Sequence, residues 1–247
     1  FYVIDLGGGQ LASLERLPHV AGVAGREEGE KVRRIVDEVA GFIRRPERCA
    51  TFLVIDGWHH IGTSNAEFED IAEKVTEIVA DGASAHVHVI IATSRWTTMR
   101  PAIRDLIANR LELRLGEALD SLIDRKLQQK LPCAPGRGLT LTGENMLLAR
   151  TSNQDIAHIC RVHAEAQPVP QLKMLPAVLT PSALAAQGGV PTGEIAWGIG
   201  GRDLDTLTWN PSREPHLVAI GAQGCGKSTF LAQIMCGISA FAREDAR

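Results

Sequence analysis

The chain has 247 residues, 26 of them basic and 29 acidic, so its formal net charge is −3. This length can bury one large core or two smaller ones, and a hydrophobic content of 45% with 4% aromatic residues is typical of an aliphatic α/β protein. The mildly acidic balance and the lack of any run of five like charges argue against a nucleic-acid-binding surface.

The five cysteines are odd in number, scattered and without C-x-x-C spacing, which favours a reducing compartment. No apolar stretch reaches the ~18–20 residues that span a bilayer. The chain starts in a strand-like run, with neither an initiator methionine nor a signal sequence. We therefore expect a cytosolic segment of a longer protein.

The first predicted element is a buried strand over residues 1–6, which leads into three consecutive glycines, Gly7 to Gly9. These glycines lack the G-K-[ST] ending of a phosphate loop, so we interpret them as a tight turn. A helix follows over residues 27–45, where apolar residues fall on one face and charged residues on the other.

Four apolar residues ending in a carboxylate make Thr51–Asp56 a candidate Walker B strand. In P-loop NTPases this aspartate, here Asp56, holds the water shell of Mg²⁺. Many hydrolysing motors place a glutamate next to orient the attacking water, whereas here Gly57 and Trp58 follow. The pattern therefore predicts metal binding with weak or absent hydrolysis at whichever site uses this strand.

A second helix is predicted over residues 66–80 and a buried strand over residues 86–92. A short helix over 103–109 and a strand over 110–115 come next, carrying Arg104, Arg110 and Arg114 with few local acidic residues to pair with. Such arginines either complete the nucleotide site of a neighbour or form ordinary surface ion pairs.

The pattern continues with a helix over residues 119–131, a hairpin of strands 139–142 and 146–149, and a helix over 154–166. Residues 167–191 contain five prolines, which makes them the best candidate for a domain boundary.

The strongest motif is a P-loop of the form G-x-x-x-x-G-K-[ST], between an apolar run at 217–220 and a helical pattern at 230–238. Its glycines let backbone N–H groups ring a phosphate, its lysine reaches the β- and γ-phosphates, and its serine hydroxyl can ligate Mg²⁺. The predicted ATP-binding residues are Gly221, Gly224, Cys225, Gly226, Lys227, Ser228 and Thr229. Ser228 and Asp56 are the predicted metal-side residues, and Lys227 the predicted catalytic cation.

Several stretches together carry a family resemblance: residues 1–10, Leu17 to Val20, the strand into Asp56, and the segments at 110–115, 120–125 and 134–140. They resemble one ATPase module of EccC-type proteins, the FtsK/SpoIIIE-class motors of type VII secretion. The resemblance implies an α/β fold, namely a RecA-like P-loop NTPase with a mainly parallel central sheet flanked by helices.

The same resemblance implies that the chain spans parts of two consecutive ATPase modules. Residues 1–168 resemble the body of one module without its own P-loop, and residues 169–247 resemble the start of the next. A body of this kind lacks its central strand, so we expect the run at 217–220 to fill the gap in its own sheet or in that of a second chain.

The resemblance also implies ATP and Mg²⁺ as cofactors and Arg110, with Arg104 second, as an arginine supplied to a neighbouring module. The implied partners are neighbouring modules in a hexameric ring, WXG100-type secreted substrates and a membrane secretion complex reached through other regions. Two alternatives stay open: a non-hydrolysing, nucleotide-dependent docking module, and a DNA translocase, which the charge disfavours.

Overall fold

We analysed a computed structural model of the chain, which describes residues 1–45, 49–62 and 68–244. The chain divides into two compact units, Phe1–Leu172 and Lys173–Arg247. Among the described residues, no helix combines the length and the apolar character needed to cross a membrane.

The first unit is built on a parallel sheet of four strands in the order β2-β1-β3-β4. The strands are β1 (Tyr2–Asp5), β2 (Gly22–Gly25), β3 (Thr51–Asp56) and β4 (Val87–Ile91). Because all four run in the same direction, their carboxyl ends meet at one edge of the sheet. Asp5 and Asp56 lie there, in register with each other.

Two amphipathic helices cover this sheet, α1 (Gly29–Arg44) and α3 (Glu69–Asp81), and a short α2 (His59–Gly62) follows β3. Most residues of their apolar faces are buried in the main core together with residues of β1 and β3. The predicted strands and both predicted helices are confirmed within a few residues. The predicted start of the second helix lies partly outside the described residues.

The next segment differs from its prediction. The helix expected over 103–109 is only α4 (Pro101–Arg104), and the region 119–131 contains a 3₁₀ turn and a short α5 (Arg125–Lys130) instead of one helix. The reason lies at Ser121, whose hydroxyl accepts hydrogen bonds from the amides of residues 123 and 124. Leu119, at the start of the predicted helix, is 66% exposed.

A small antiparallel sheet follows, with β5 (Glu112–Leu113), β6 (Arg137–Leu139) and β7 (Asn145–Leu147) in that order. It confirms the predicted hairpin, although the strands are shorter. The helix α6 (Asn153–Val162) begins at a capping box in which Ser152 and Asp155 bond reciprocally.

The second unit contains α7 (Pro181–Gln187), the hairpin β8 (Ile195–Gly200) and β9 (Asp205–Trp209), and the long α8 (Lys227–Glu244). The strand predicted at 217–220 is wrong. These residues pair with no strand, and Val218 and Ile220 are 78% and 92% exposed. An extended segment becomes a strand only when a neighbour supplies hydrogen bonds, and no described strand lies beside this one.

The edges of the four-stranded sheet differ from each other. At β2, the Val169 amide donates to Pro18 O at 2.9 Å and the Leu172 amide to Ala21 O at 2.8 Å. At β4, all described pairing is with β3. The expectation that residues 217–220 complete their own sheet is therefore wrong, while an exchange with a second chain stays a prediction.

Candidate functional site

The P-loop connects the exposed run at 217–220 to the first turn of α8. Gly224 and Gly226 have φ values of +79° and +95°, which side chains other than glycine rarely adopt. The Phe230 amide donates to Gly226 O at 2.9 Å, so the helix begins directly behind the loop. The first amides of a helix have no intrahelical acceptor, which makes this end a site for an anion.

Lys227 lies folded over the start of the loop. Its Nζ donates to Gly221 O at 2.9 Å and to Ala222 O at 2.6 Å, and it lies 3.7 Å from Cys225 Sγ. The ammonium group is thus bound by two carbonyl oxygens at the start of the loop. Ser228 is exposed in the first turn of the helix. The predicted ATP-binding residues therefore occupy the loop and the first turn of α8, and their residue types are those that bind a phosphate and its metal.

The hairpin β8–β9 packs against this helix. Trp197 meets Phe230 edge to face with ring centroids 5.7 Å apart, and Gln233 Nε2 donates to Ala196 O at 3.4 Å. One turn further, a Cβ added to Gly237 would collide with Ile195 Cγ2. The helix that carries Lys227 is therefore held by a hairpin that the sequence patterns did not predict.

Asp56 ends β3 at the carboxyl edge of the first unit's sheet, where Leu6 N donates to Asp56 O at 3.0 Å. Gly57 follows with φ +77°, so the position of the missing glutamate is also one at which a side chain would be strained. The glycines after β1 form a tight turn, as predicted: the Asp5 carboxylate accepts the amides of Gly9 and Leu11 at 3.1 and 2.7 Å.

The candidate arginines are all engaged locally, contrary to the prediction that they lack partners nearby. Arg110 donates through Nε to Ile107 O and through Nη2 to Arg104 O, both at 2.8 Å, and its guanidinium lies 6.0 Å from the Trp96 ring centroid. Arg104 forms an ion pair of 3.0 Å with Asp105. Arg114 donates to a backbone carbonyl of the turn after α5.

A buried carboxylate that the sequence analysis missed lies beside these arginines. Glu112 is 2% exposed and accepts four hydrogen bonds. The donors are Trp96 Nε1 at 2.8 Å, Ser121 Oγ at 2.7 Å, Leu122 N at 2.8 Å and Gln128 Nε2 at 3.0 Å. Burial alone raises the pKa of Glu112, but the donated hydrogen bonds outweigh it, so the pKa lies below its ordinary value.

A family model described as the FtsK/SpoIIIE family matches residues 1–168. The chain belongs to the FtsK/SpoIIIE family. Its relatives include the ESX secretion system protein EccC of Thermomonospora curvata, 32% identical over 281 residues, and the ESX-4 protein EccC4 of Mycobacterium tuberculosis, 33% identical over 259 residues. The alignments cover 96% and 94% of this chain but only 21% and 20% of those relatives. The resemblance to EccC-type ATPases is confirmed.

Solved structures confirm the fold class of this FtsK/SpoIIIE chain. One matching structure is that of Thermomonospora curvata EccC (ATPases 2 and 3) in complex with a signal sequence peptide. The match has a TM-score of 0.76 and 32% sequence identity, and it covers 96% of this chain and 50% of that one. A second matching structure is that of EssC (ATPases 2 and 3) from Geobacillus thermodenitrificans, with a TM-score of 0.69. It covers 97% of this chain and 53% of that one. At 16% sequence identity, this match concerns the fold alone. The fold is thus that of a RecA-like P-loop ATPase.

Proposed function

We propose that this chain is an ATP-binding part of a type VII protein secretion motor. In this proposal, residues 1–168 form the body of one ATPase module, and residues 169–247 begin the next with its P-loop and helix. ATP binding and slow or conditional hydrolysis would then drive export of WXG100-type substrates. The observation that supports the proposal is the P-loop, in which Lys227 at the start of α8 donates to the carbonyl oxygens of Gly221 and Ala222.

The chemistry follows from residues with defined surroundings. The loop amides and the N-terminus of α8 bind the phosphates, and Lys227 exchanges its two carbonyl acceptors for phosphate oxygens. Ser228 and Asp56 are the metal-side groups of the proposed sites. Mg²⁺, when bound, neutralises charge between the phosphates. Because Gly57 stands where a water-orienting carboxylate would be, hydrolysis at the site that uses β3 is slow unless a neighbour assists.

Arg110 is the first candidate for that assistance and Arg104 the second. The contacts of Arg110 with two carbonyls and with the face of Trp96 keep its guanidinium in one position. Acting on a neighbouring module requires it to exchange those carbonyls for phosphate oxygens. The neighbours are proposed to be ATPase modules of the same protein in a hexameric ring, on the cytosolic side of a membrane-anchored secretion complex.

A second function is a docking module that binds ATP without hydrolysing it and recruits secreted proteins. The observation in its favour is again Gly57, whose left-handed backbone disfavours a side chain at the catalytic position. The signal sequence peptide in the related Thermomonospora curvata EccC complex supports recruitment as part of either function. A nucleic-acid substrate has no such support, since the formal charge is −3.

Equilibrium binding of a fluorescent ATP analogue with Mg²⁺, measured together with phosphate release, tests the proposal. Losing the Lys227 charge removes charge-assisted hydrogen bonds worth about 1.5–3 kcal/mol, so Lys227→Ala should weaken binding roughly 10–150-fold. The exposed Lys130 is a matched control, and Lys130→Ala should bind like the wild type.

Three results separate the alternatives. Lys227-dependent binding with phosphate release supports the motor, and Lys227-dependent binding without release supports the docking module. Unchanged binding by Lys227→Ala refutes both.

A further inference from the structure

A β-bulge in the hairpin of the second unit fixes the place of Trp197. In β8, Ala196 and Gly198 are paired with consecutive residues of β9, so Trp197 is an extra residue between them. A bulge of this kind bends the strand and changes the direction of a side chain, and bulges are frequent beside functional sites. The position of Trp197 is therefore set by the backbone of the hairpin.

The Trp197 ring packs on the first turn of α8. It meets the Phe230 ring edge to face, with centroids 5.7 Å apart and an interplanar angle of 84°, which is a favoured geometry for two aromatic rings. The Phe230 amide donates to Gly226 O at 2.9 Å. Phe230 therefore joins the last glycine of the P-loop to the helix, and Trp197 contacts the residue that makes this connection.

The later turns of α8 are held separately by the same strand. Gln233 Nε2 donates to Ala196 O at 3.4 Å. Ile195, which is 4% exposed, lies so close to Gly237 that a Cβ there would collide with it. Positions 233 and 237 are about one turn apart and lie on one face of the helix. Removing the Trp197 ring therefore releases the first turn, while the later turns keep their contacts.

The P-loop depends on this end of the helix for its order. On the entering side, residues 217–220 pair with no described strand. Within the loop, Gly224 and Gly226 have φ values of +79° and +95°, and glycine loses more conformational freedom on ordering than any other residue. A loop that is already ordered binds phosphate at a smaller entropy cost. The first turn of α8 is the fixed end from which the loop is ordered.

We propose that Trp197 is a positioning residue for the phosphate-binding loop. Its ring holds Phe230, and through it the first turn of α8, where the loop amides and Lys227 bind phosphate. This inference rests on the nucleotide-binding role proposed above for the P-loop. All of the groups that it uses belong to the second unit.

Equilibrium binding of the fluorescent ATP analogue with Mg²⁺ tests this role, at a temperature at which circular dichroism shows each variant to be folded. Trp197→Ala removes the aromatic pair and should bind about 3–10-fold more weakly. Trp197→Phe keeps an aromatic ring and should bind within about 2-fold of the wild type.

The matched control is Trp209→Ala, which removes the other tryptophan of the hairpin. The Trp209 Nε1 donates to Glu214 O at 2.7 Å, and this variant should bind like the wild type. Three results would each overturn the inference: Trp197→Ala binds like the wild type, Trp197→Phe is as weak as Trp197→Ala, or Trp209→Ala weakens binding equally.

Displacement of the analogue by unmodified ATP and by inorganic tripolyphosphate separates positioning of the loop from direct contact with the nucleotide base. Trp197→Ala should raise both inhibition constants by the same factor, because both competitors bind through their phosphates. A loss for ATP alone would mean that the indole contacts the base or the ribose, and the positioning role would be wrong. Adding Phe230→Ala to Trp197→Ala should weaken binding little further, because both changes remove one ring contact. Full additivity would contradict the inference.

Failure of this inference and failure of the proposed function give different results. If Lys227→Ala loses binding and Trp197→Ala does not, the positioning role is wrong and the nucleotide-binding role stands. If Lys227→Ala binds like the wild type, the nucleotide-binding role is wrong. Should Trp197→Ala fail to fold, Phe230→Leu replaces it, because leucine keeps an apolar side chain and removes the ring. Phe230→Leu should bind at least about 3-fold more weakly, and binding like the wild type would overturn the inference.

Discussion

Removing the Glu112 carboxylate should destabilise the first unit strongly, because four donors converge on it. In Glu112→Ala, Gln128 Nε2 keeps Leu113 O as an acceptor at 3.1 Å, while Trp96 Nε1 and the Leu122 amide lose theirs. Each buried donor left without an acceptor costs about 1–3 kcal/mol. With the smaller contributions of the cavity and the Ser121 hydroxyl included, we expect the free energy of unfolding to fall by about 3–5 kcal/mol.

The loss corresponds to a decrease in Tm of about 6–20 °C, which thermal unfolding followed by circular dichroism measures. Glu112→Gln keeps one accepting oxygen and should cost about 1–2 kcal/mol. Glu117→Gln, at an exposed position, is the matched control and should be neutral. A Glu112→Ala variant within 2 °C of the wild type would refute the inference that this carboxylate anchors the segment.

The same carboxylate predicts a pH dependence. The pKa of Glu112 is lower in the folded state than its ordinary value of about 4.3, so the unfolded chain binds the proton more readily. Its stabilising contribution is therefore complete above that ordinary value and is lost as the pH falls through the lower, folded pKa. The stability gap between the wild type and Glu112→Gln should be constant from pH 8 to 6 and should narrow as the pH falls below the ordinary pKa of glutamate. A gap that stays constant or widens as the pH falls below that value would contradict this linkage.

Two further predictions concern a strand contact and the P-loop. In Gly138→Ala, the new Cβ on β6 would collide with the Glu112 carbonyl oxygen on the paired strand β5. This variant should lose about 1–3 kcal/mol of unfolding free energy, measured by urea unfolding. Gly198→Ala is the control and should be neutral, because a Cβ there meets nothing within 4 Å. Oxidation of the exposed Cys225, whose Sγ lies 3.7 Å from Lys227 Nζ, should block phosphate entry. Mild peroxide should then weaken nucleotide binding in the wild type and not in Cys225→Ala, and equal inhibition of both would discard the idea.

The parallel sheet and its two long helices were predictable because their periodicity reflects burial. The strands β1, β3 and β4 are runs of branched apolar residues, and α1 repeats its buried positions at helical spacing. The P-loop was predictable for a different reason: its glycines and lysine are fixed by what a phosphate requires, whichever strand precedes them.

The errors have a shared physical cause, which is that tertiary contacts outweigh local pattern. Leucines at helical spacing predicted one helix over 119–131. Ser121 turns the chain there, because its hydroxyl donates to Glu112 and accepts the amides of residues 123 and 124. Arg104 pairs with the adjacent Asp105, whereas Arg110 bonds backbone carbonyls. No local signal announces a partner of that kind. The hairpin β8–β9 had a weak signal in Trp197, an aromatic residue among glycines.

The segment along the outer edge of β2 determines where the first unit can be cut. Val169 and Leu172 donate to carbonyls of residues 18 and 21, Gln171 Nε2 donates to Val20 O at 3.0 Å, and Leu172 packs against Gly22. A protease or an expression boundary at residue 168 would remove this segment and expose both the backbone and the apolar surface it covers. An isolated first unit should therefore extend to Leu172, so that its sheet keeps a protected edge and resists pairing with strands of other molecules.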